Sequence, residues 1–96
     1  MNIKLNRDSL TEEARRLARS LKEHPYRIVF AESCTGGLVA ASLVQVPGIS
    51  EYLCGSSVVY REATKTAWLA IAPGFLRRHS AVSPETTLQL AAQVLQ

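Results

Sequence analysis

Apolar residues nowhere run to the ~18 in a row that a membrane-crossing helix needs, and the charged N-terminal stretch has no apolar core of the signal-peptide kind. Cysteine is scarce: Cys34 and Cys54 have no metal-ligand spacing. They predict a reduced, cytoplasmic setting, with a Cys34–Cys54 bridge as the alternative. Histidine is scarcer in function than in number. His24 closes a helix before proline and His79 follows two arginines, so both read as surface or capping residues and no serine–histidine–acid arrangement can be assembled. The phosphate-binding patterns GxxxxGK[ST] and GxGxxG are absent. Charge of one sign is in small excess, at +3, and most basic residues are dispersed, as in Arg15, Arg16, Arg19 and Lys22. Only Arg77-Arg78-His79 is compact, so these charges read as solvated surface and nucleic-acid binding is not expected.

What is present fits one small globular domain over residues 1–96, 47% hydrophobic and 20% charged, without repeats or low-complexity segments. Residues 9–23 read as an amphipathic helix with Leu10, Ala14, Leu17, Ala18 and Leu21 on one stripe. Ser9 and Glu12 have capping-box spacing at its start, and His24-Pro25 ends it. A strand over 27–32, a helix over 37–45, a turn at Pro47-Gly48 and a strand over 53–60 follow. A helix over 63–71 is expected to stop at Pro73-Gly74. Ser83-Pro84-Glu85 then supplies a cap, a proline that needs no amide, and a first-turn acid for a last helix with Leu88, Ala91, Ala92 and Leu95 as its apolar face.

This α-β-α-β-α-α order is that of an α/β domain whose sheet is cut short after its first strands. Two strands make a small sheet for four helices, and the chain ends at Leu95-Gln96 without a helix stop signal. Either further strands belong to a longer parent or a partner subunit covers the open edge. An exposed sheet edge of this kind predicts a homo-oligomer.

The chemistry concentrates at Ala31-Glu32-Ser33-Cys34-Thr35-Gly36-Gly37, a strand running into a polar turn and then a helix. Ligands of α/β domains sit outside the carboxyl ends of strands at such corners. Thr35-Gly36-Gly37 reads as a helix cap and tight turn, or as a nest of amides for phosphate or an oxyanion. Ser33 is a candidate nucleophile and needs a base. Lys65 lies five residues beyond the end of the second strand, and parallel strands would bring Ser33, Tyr60 and Lys65 to one crevice. Lys65 reads as a solvated cation or as that base; Tyr60 as an edge aromatic or a proton relay. Glu32 would hold a cationic group or pair locally. Cys34 reads as a small buried side chain and Trp68 as a packing residue.

The stretches AESCTGGLVAASLVQVPGIS at 31–50, VVYREATKTAWLAI at 58–71 and AVS at 81–83 resemble, in order and spacing, the CinA C-terminal domain family, which includes the nicotinamide-nucleotide amidases. The resemblance covers most of residues 9–96. It implies a three-layer α/β/α domain with a mainly parallel sheet that hydrolyses the carboxamide of nicotinamide mononucleotide to nicotinic acid mononucleotide and ammonia. On it Ser33 looks like the nucleophile, Lys65 its general base and Tyr60 an orienting or relaying hydroxyl. Glu32 and the Thr35-Gly36-Gly37 amides look like parts of the substrate or oxyanion site. This chemistry calls for no metal and no cofactor.

The family pattern commonly has glycine where this chain has Ser56, Ser-Asn where it has Arg61-Glu62, and glycine where it has Ser80. Family domains also continue into further strands and a site-lining loop that residues 84–96 do not match. A non-catalytic nucleotide-binding or assembly remnant of the domain is therefore the alternative expectation.

Overall fold

The computed structural model describes residues 7–96. Along them run α1 (Arg7–Glu23), β1 (Ile28–Glu32), α2 (Leu38–Leu43), a 3-10 turn (Ile49–Glu51), β2 (Leu53–Val58), α3 (Glu62–Leu69), α4 (Pro73–His79) and α5 (Pro84–Val94). β1 and β2 pair in parallel, Val29 opposite Gly55 through Glu32 opposite Val58. The register breaks between Ile28 and Val29, where Cys54 is the extra residue on β2. Among the described residues the sheet has these two strands.

Helices lie on both faces of this sheet, and the pleat explains why. Successive strand side chains point to opposite faces. Ile28 and Phe30 join Ala14, Leu21, Leu43 and Ile49 in a core built from α1, α2 and the 3-10 turn. Ala31 faces the other way, against Val59 just past β2, Ile71 between α3 and α4, Leu76 of α4 and Leu90 of α5. Fully burying a Leu or Ile contributes about 1.5–3 kcal/mol, so these two small clusters fasten the layers to the strand pair. The arrangement is the expected three-layer α/β/α class, with helix added to helix around a minimal parallel sheet.

Several local expectations change. Ser9 lies inside α1, not at its cap. α3 ends at Leu69, and Ala70 closes it in the left-handed region at φ 56°. Pro73-Gly74 starts a helix instead of stopping one: Pro73 takes the first helical position, where its missing amide costs nothing, and α4 follows. Arg77, Arg78 and His79 fill the last turn of α4, beside the carbonyl end of the helix dipole, and His79 packs its ring 4.5 Å from Phe75.

The inner stripe of α5 is Thr86 and Leu90, and the expected apolar face of Leu88, Ala91, Ala92 and Leu95 is exposed. Its N-terminus fixes that rotation. Ser83 Oγ accepts the Thr86 amide at 3.1 Å, and Thr86 Oγ1 donates to the Ser80 carbonyl at 2.6 Å. Trp68 is likewise exposed, because Lys65 and Leu69, four residues apart, take the inner side of α3. Both cysteines are free and exposed, Cys34 beyond the carboxyl end of β1 and Cys54 at the start of β2. Opposite ends of paired parallel strands are too far apart for a disulfide.

Candidate functional site

Parallel pairing sets the site. With Glu32 opposite Val58, the chain leaves both strands at one edge: β1 into Ser33 and β2 into Val59-Tyr60. The Val59 amide extends the ladder by one bond, donating to the Glu32 carbonyl at 2.8 Å. α3 starts two residues after Tyr60. Helical side chains lean toward the helix N-terminus, so Lys65, in the first turn of α3, reaches back over that corner.

Lys65 is 2% exposed, and its amine is held by three oxygens. Nζ donates to the Val59 carbonyl at 2.9 Å and the Tyr60 carbonyl at 3.0 Å, and it lies 3.0 Å from Ser33 Oγ. It forms no ion pair among the described residues. Two of its directions are committed to carbonyls, which can only accept. The third meets a hydroxyl, which can accept from an ammonium or donate to a neutral amine. The contact with Ser33 therefore survives in either protonation state. Thus the structure brings Ser33 and Lys65 together, from 32 residues apart in the chain.

Tyr60 contributes its carbonyl. Its ring is 70% exposed, and its hydroxyl makes no hydrogen bond among the described residues. Cys34, expected as a buried small residue, is exposed on the turn. Neither histidine enters the site: His24 is an exposed residue after α1 and His79 belongs to α4.

The turn after Ser33 needs its two glycines. Gly36 and Gly37 stand at φ 60° and 103°, where a side chain is strained. A Cβ on Gly37 would meet Val58 at an ordinary 3.6 Å, so backbone conformation and not crowding demands glycine there. The Thr35, Gly36 and Gly37 amides expected to face a ligand, and the Cys34 amide before them, divide into two sets. Gly36 N donates to the Ser33 carbonyl at 3.0 Å and is spent within the turn. The Cys34, Thr35 and Gly37 amides donate to no protein acceptor among the described residues.

Glu32 pairs locally. Its buried carboxylate accepts from Thr35 Oγ1 and the Val39 amide at 2.9 Å each, the Ala40 amide at 3.2 Å and Ser56 Oγ at 2.7 Å. Burial pushes this carboxyl upward, but bonds from Ser56, Val39, Thr35 and Ala40 outweigh it and hold the group below its ordinary value of 4.5. It occupies the anion position at the start of α2 itself.

Ser56 and the Val59 and Tyr60 carbonyls are parts of the site that the sequence did not single out. The carbonyls carry no side-chain signature. Ser56 had one, as a departure from the family's glycine. Ser33 opens onto a groove of about 730 Å³ between β1 and α5, whose lining includes Val29, Ala31, Thr35, Val82, Leu90 and Leu95. No cluster of three or more metal-ligating side chains occurs among the described residues, and no helix is long and apolar enough to cross a membrane.

Comparison with known proteins agrees with this layout. A CinA-like protein of Myxococcus xanthus is 51% identical over 67 residues, covering 70% of this chain and 16% of the relative. One of Desulforapulum autotrophicum is 41% identical over 90 residues, covering 94% of this chain and 21% of the relative. Among solved structures, the competence/damage inducible protein CihA of Agrobacterium tumefaciens superposes with a TM-score of 0.84 at 32% identity, over 99% of this chain and 56% of that one. A CinA superfamily protein of Escherichia coli gives 0.86 at 25% identity, over 99% and 59%. The chain thus spans about a fifth of these curated relatives and little more than half of these solved chains. The family model for the CinA C-terminal domain matches residues 10–96, and the chain belongs to that family.

Proposed function

We propose that this domain hydrolyses the carboxamide of nicotinamide mononucleotide through a Ser33 nucleophile and a Lys65 base. The observation that carries the reading is the 3.0 Å approach of Lys65 Nζ to Ser33 Oγ, with the other two donor directions of the lysine held by carbonyls. In the neutral state, Lys65 directs its lone pair at the serine hydroxyl. Ser33 Oγ then attacks the carboxamide carbon while its proton passes to Nζ. The C–O bond forms, the C=O pair moves onto oxygen, and the Thr35 and Gly37 amides, which donate to no protein acceptor among the described residues, would stabilise that charge. As the intermediate collapses, the amide nitrogen takes the proton from Lys65, the C–N bond breaks and ammonia leaves. Water, deprotonated in turn by Lys65, cleaves the ester and releases nicotinic acid mononucleotide and Ser33. Tyr60 would orient the leaving group after its exposed ring turns inward.

The groove beside Ser33 lies in the size range of small-molecule sites, about 300–1,000 Å³. In this reading the protein works in the reducing cytoplasm, where Cys34 beside the nucleophile stays a thiol.

The test is ammonia release from nicotinamide mononucleotide by the 96-residue chain, with Ser33→Ala as control. Release that vanishes in the control supports the reading. Tight nucleotide binding by the folded chain without S33A-sensitive release would replace it with that of a non-catalytic nucleotide-binding unit.

A further inference from the structure

Glu32 precedes the nucleophile, and the donors it gathers come from three different pieces of structure. Thr35 belongs to the turn, Val39 and Ala40 are the second and third residues of α2, and Ser56 lies on the neighbouring strand. Ser33 lies inside the frame these bonds make. Its peptide follows Glu32 directly, its carbonyl holds Gly36, and its Oγ must meet an amine fixed independently by the Val59 and Tyr60 carbonyls. The Glu32 side chain thus faces inward to a closed set of donors instead of outward to a substrate.

We propose that Glu32 is a positioning residue: its carboxylate clamps the Ser33 turn to α2 and β2 and so keeps Ser33 Oγ in line with Lys65 Nζ. The functional part of this proposal rests on the Ser33–Lys65 reading above; the clamp itself rests on the four bonds alone. A carboxylate suits the task because it only accepts: the Val39 and Ala40 amides can only donate, one to each carboxylate oxygen, and the Thr35 and Ser56 hydroxyls donate beside them. Amidation puts an N–H donor against one of the two amides, and protonation removes the charge that strengthens all four bonds.

The clamp gives the site an acid limit. α2 carries no ionisable side chain, β2 carries only the exposed Cys54, and α5 carries only the exposed Glu85. From α3, Lys65 reaches Ser33 and not Glu32. The donors on Glu32 hold its proton affinity down. The frame is therefore whole above the ordinary carboxyl range and opens as pH falls through the lowered value of the folded state.

Ser56 is the one donor supplied by a side chain from the opposite strand. It offers a gentle way to loosen the clamp without removing the charge.

The experiment compares wild type, Glu32→Gln and Ser56→Ala as the 96-residue chain, by ammonia release and by backbone amide exchange. Expected for E32Q is a kcat about 10²-fold lower with KM unchanged. Val39 and Ala40 should exchange about 10- to 100-fold faster, as for loss of one charge-assisted hydrogen bond. S56A should show the same kcat-only loss in smaller measure. A rise in KM at constant kcat would overturn the proposal by making Glu32 a substrate contact. If wild type releases no ammonia, the amidase reading fails while exchange still decides the clamp: slow Val39 and Ala40 amides in E32Q overturn it, fast ones uphold it.

Discussion

Ser80 shows what one residue can cost. It sits at φ 74° and ψ 150°, a region that only glycine enters freely. Its side chain returns one exposed hydrogen bond, accepted from the Val82 amide at 3.3 Å. The Ser80 carbonyl, which glycine would keep, accepts from Thr86 Oγ1. Relief of a strained backbone is worth about 1–3 kcal/mol, against about 0.5–1 kcal/mol for the added freedom of an unfolded glycine. Ser80→Gly should therefore stabilise the chain by about 1 kcal/mol, seen as a higher urea midpoint at unchanged slope. A lower midpoint would show that the Val82 bond matters more than the strain. The sequence marked Ser80 as a departure; only the dihedral angles turn the departure into an energy. The same holds at Glu32, where the sequence allowed either a cation or local pairing and could not count donors arriving from 24 residues away on β2.

At the scale of elements, legibility followed the kind of signal. The last helix starts where Ser83-Pro84-Glu85 said it would, because side-chain cap, proline and acid agree. Ser83→Ala should cost about 1 kcal/mol of stability through the lost Thr86 amide bond, read from thermal or urea unfolding. The cost would rise if α5 also rolls about its axis, since Ser83 Oγ also donates to Thr86 Oγ1, which anchors the buried stripe. α4 was missed because proline and glycine are used at both ends of helices, and Ala72 provides no side-chain cap to break the tie. The exposed face of α5 was misread for a related reason. Apolar spacing identifies a stripe, but the two polar contacts at the helix start choose which stripe turns inward. The parallel strand pair itself was legible, and with it the meeting of Ser33 and Lys65. The holders of the lysine were not, since backbone carbonyls have no letter in a sequence.

The whole molecule is open. Its radius of gyration is 14.6 Å, while a closed domain of this length is expected near 12.5 Å. Val82, Leu88 and Leu95 are 78%, 72% and 75% exposed, and Val82 and Leu95 line the groove along β1. Such apolar surface gains from being covered, so self-association is expected, with a melting temperature that rises with protein concentration and a sedimenting species larger than the monomer. A concentration-independent monomer would overturn that expectation. The seal around Lys65 has a different outcome. Lys65 has all three hydrogen-bonding directions of its amine already engaged and almost none of its surface in solvent. A bulky amine-seeking reagent would therefore modify exposed Lys22 while the fold is intact and reach Lys65 only after the corner between the strands has opened. The proposed base thus doubles as a chemical record of whether the corner is closed.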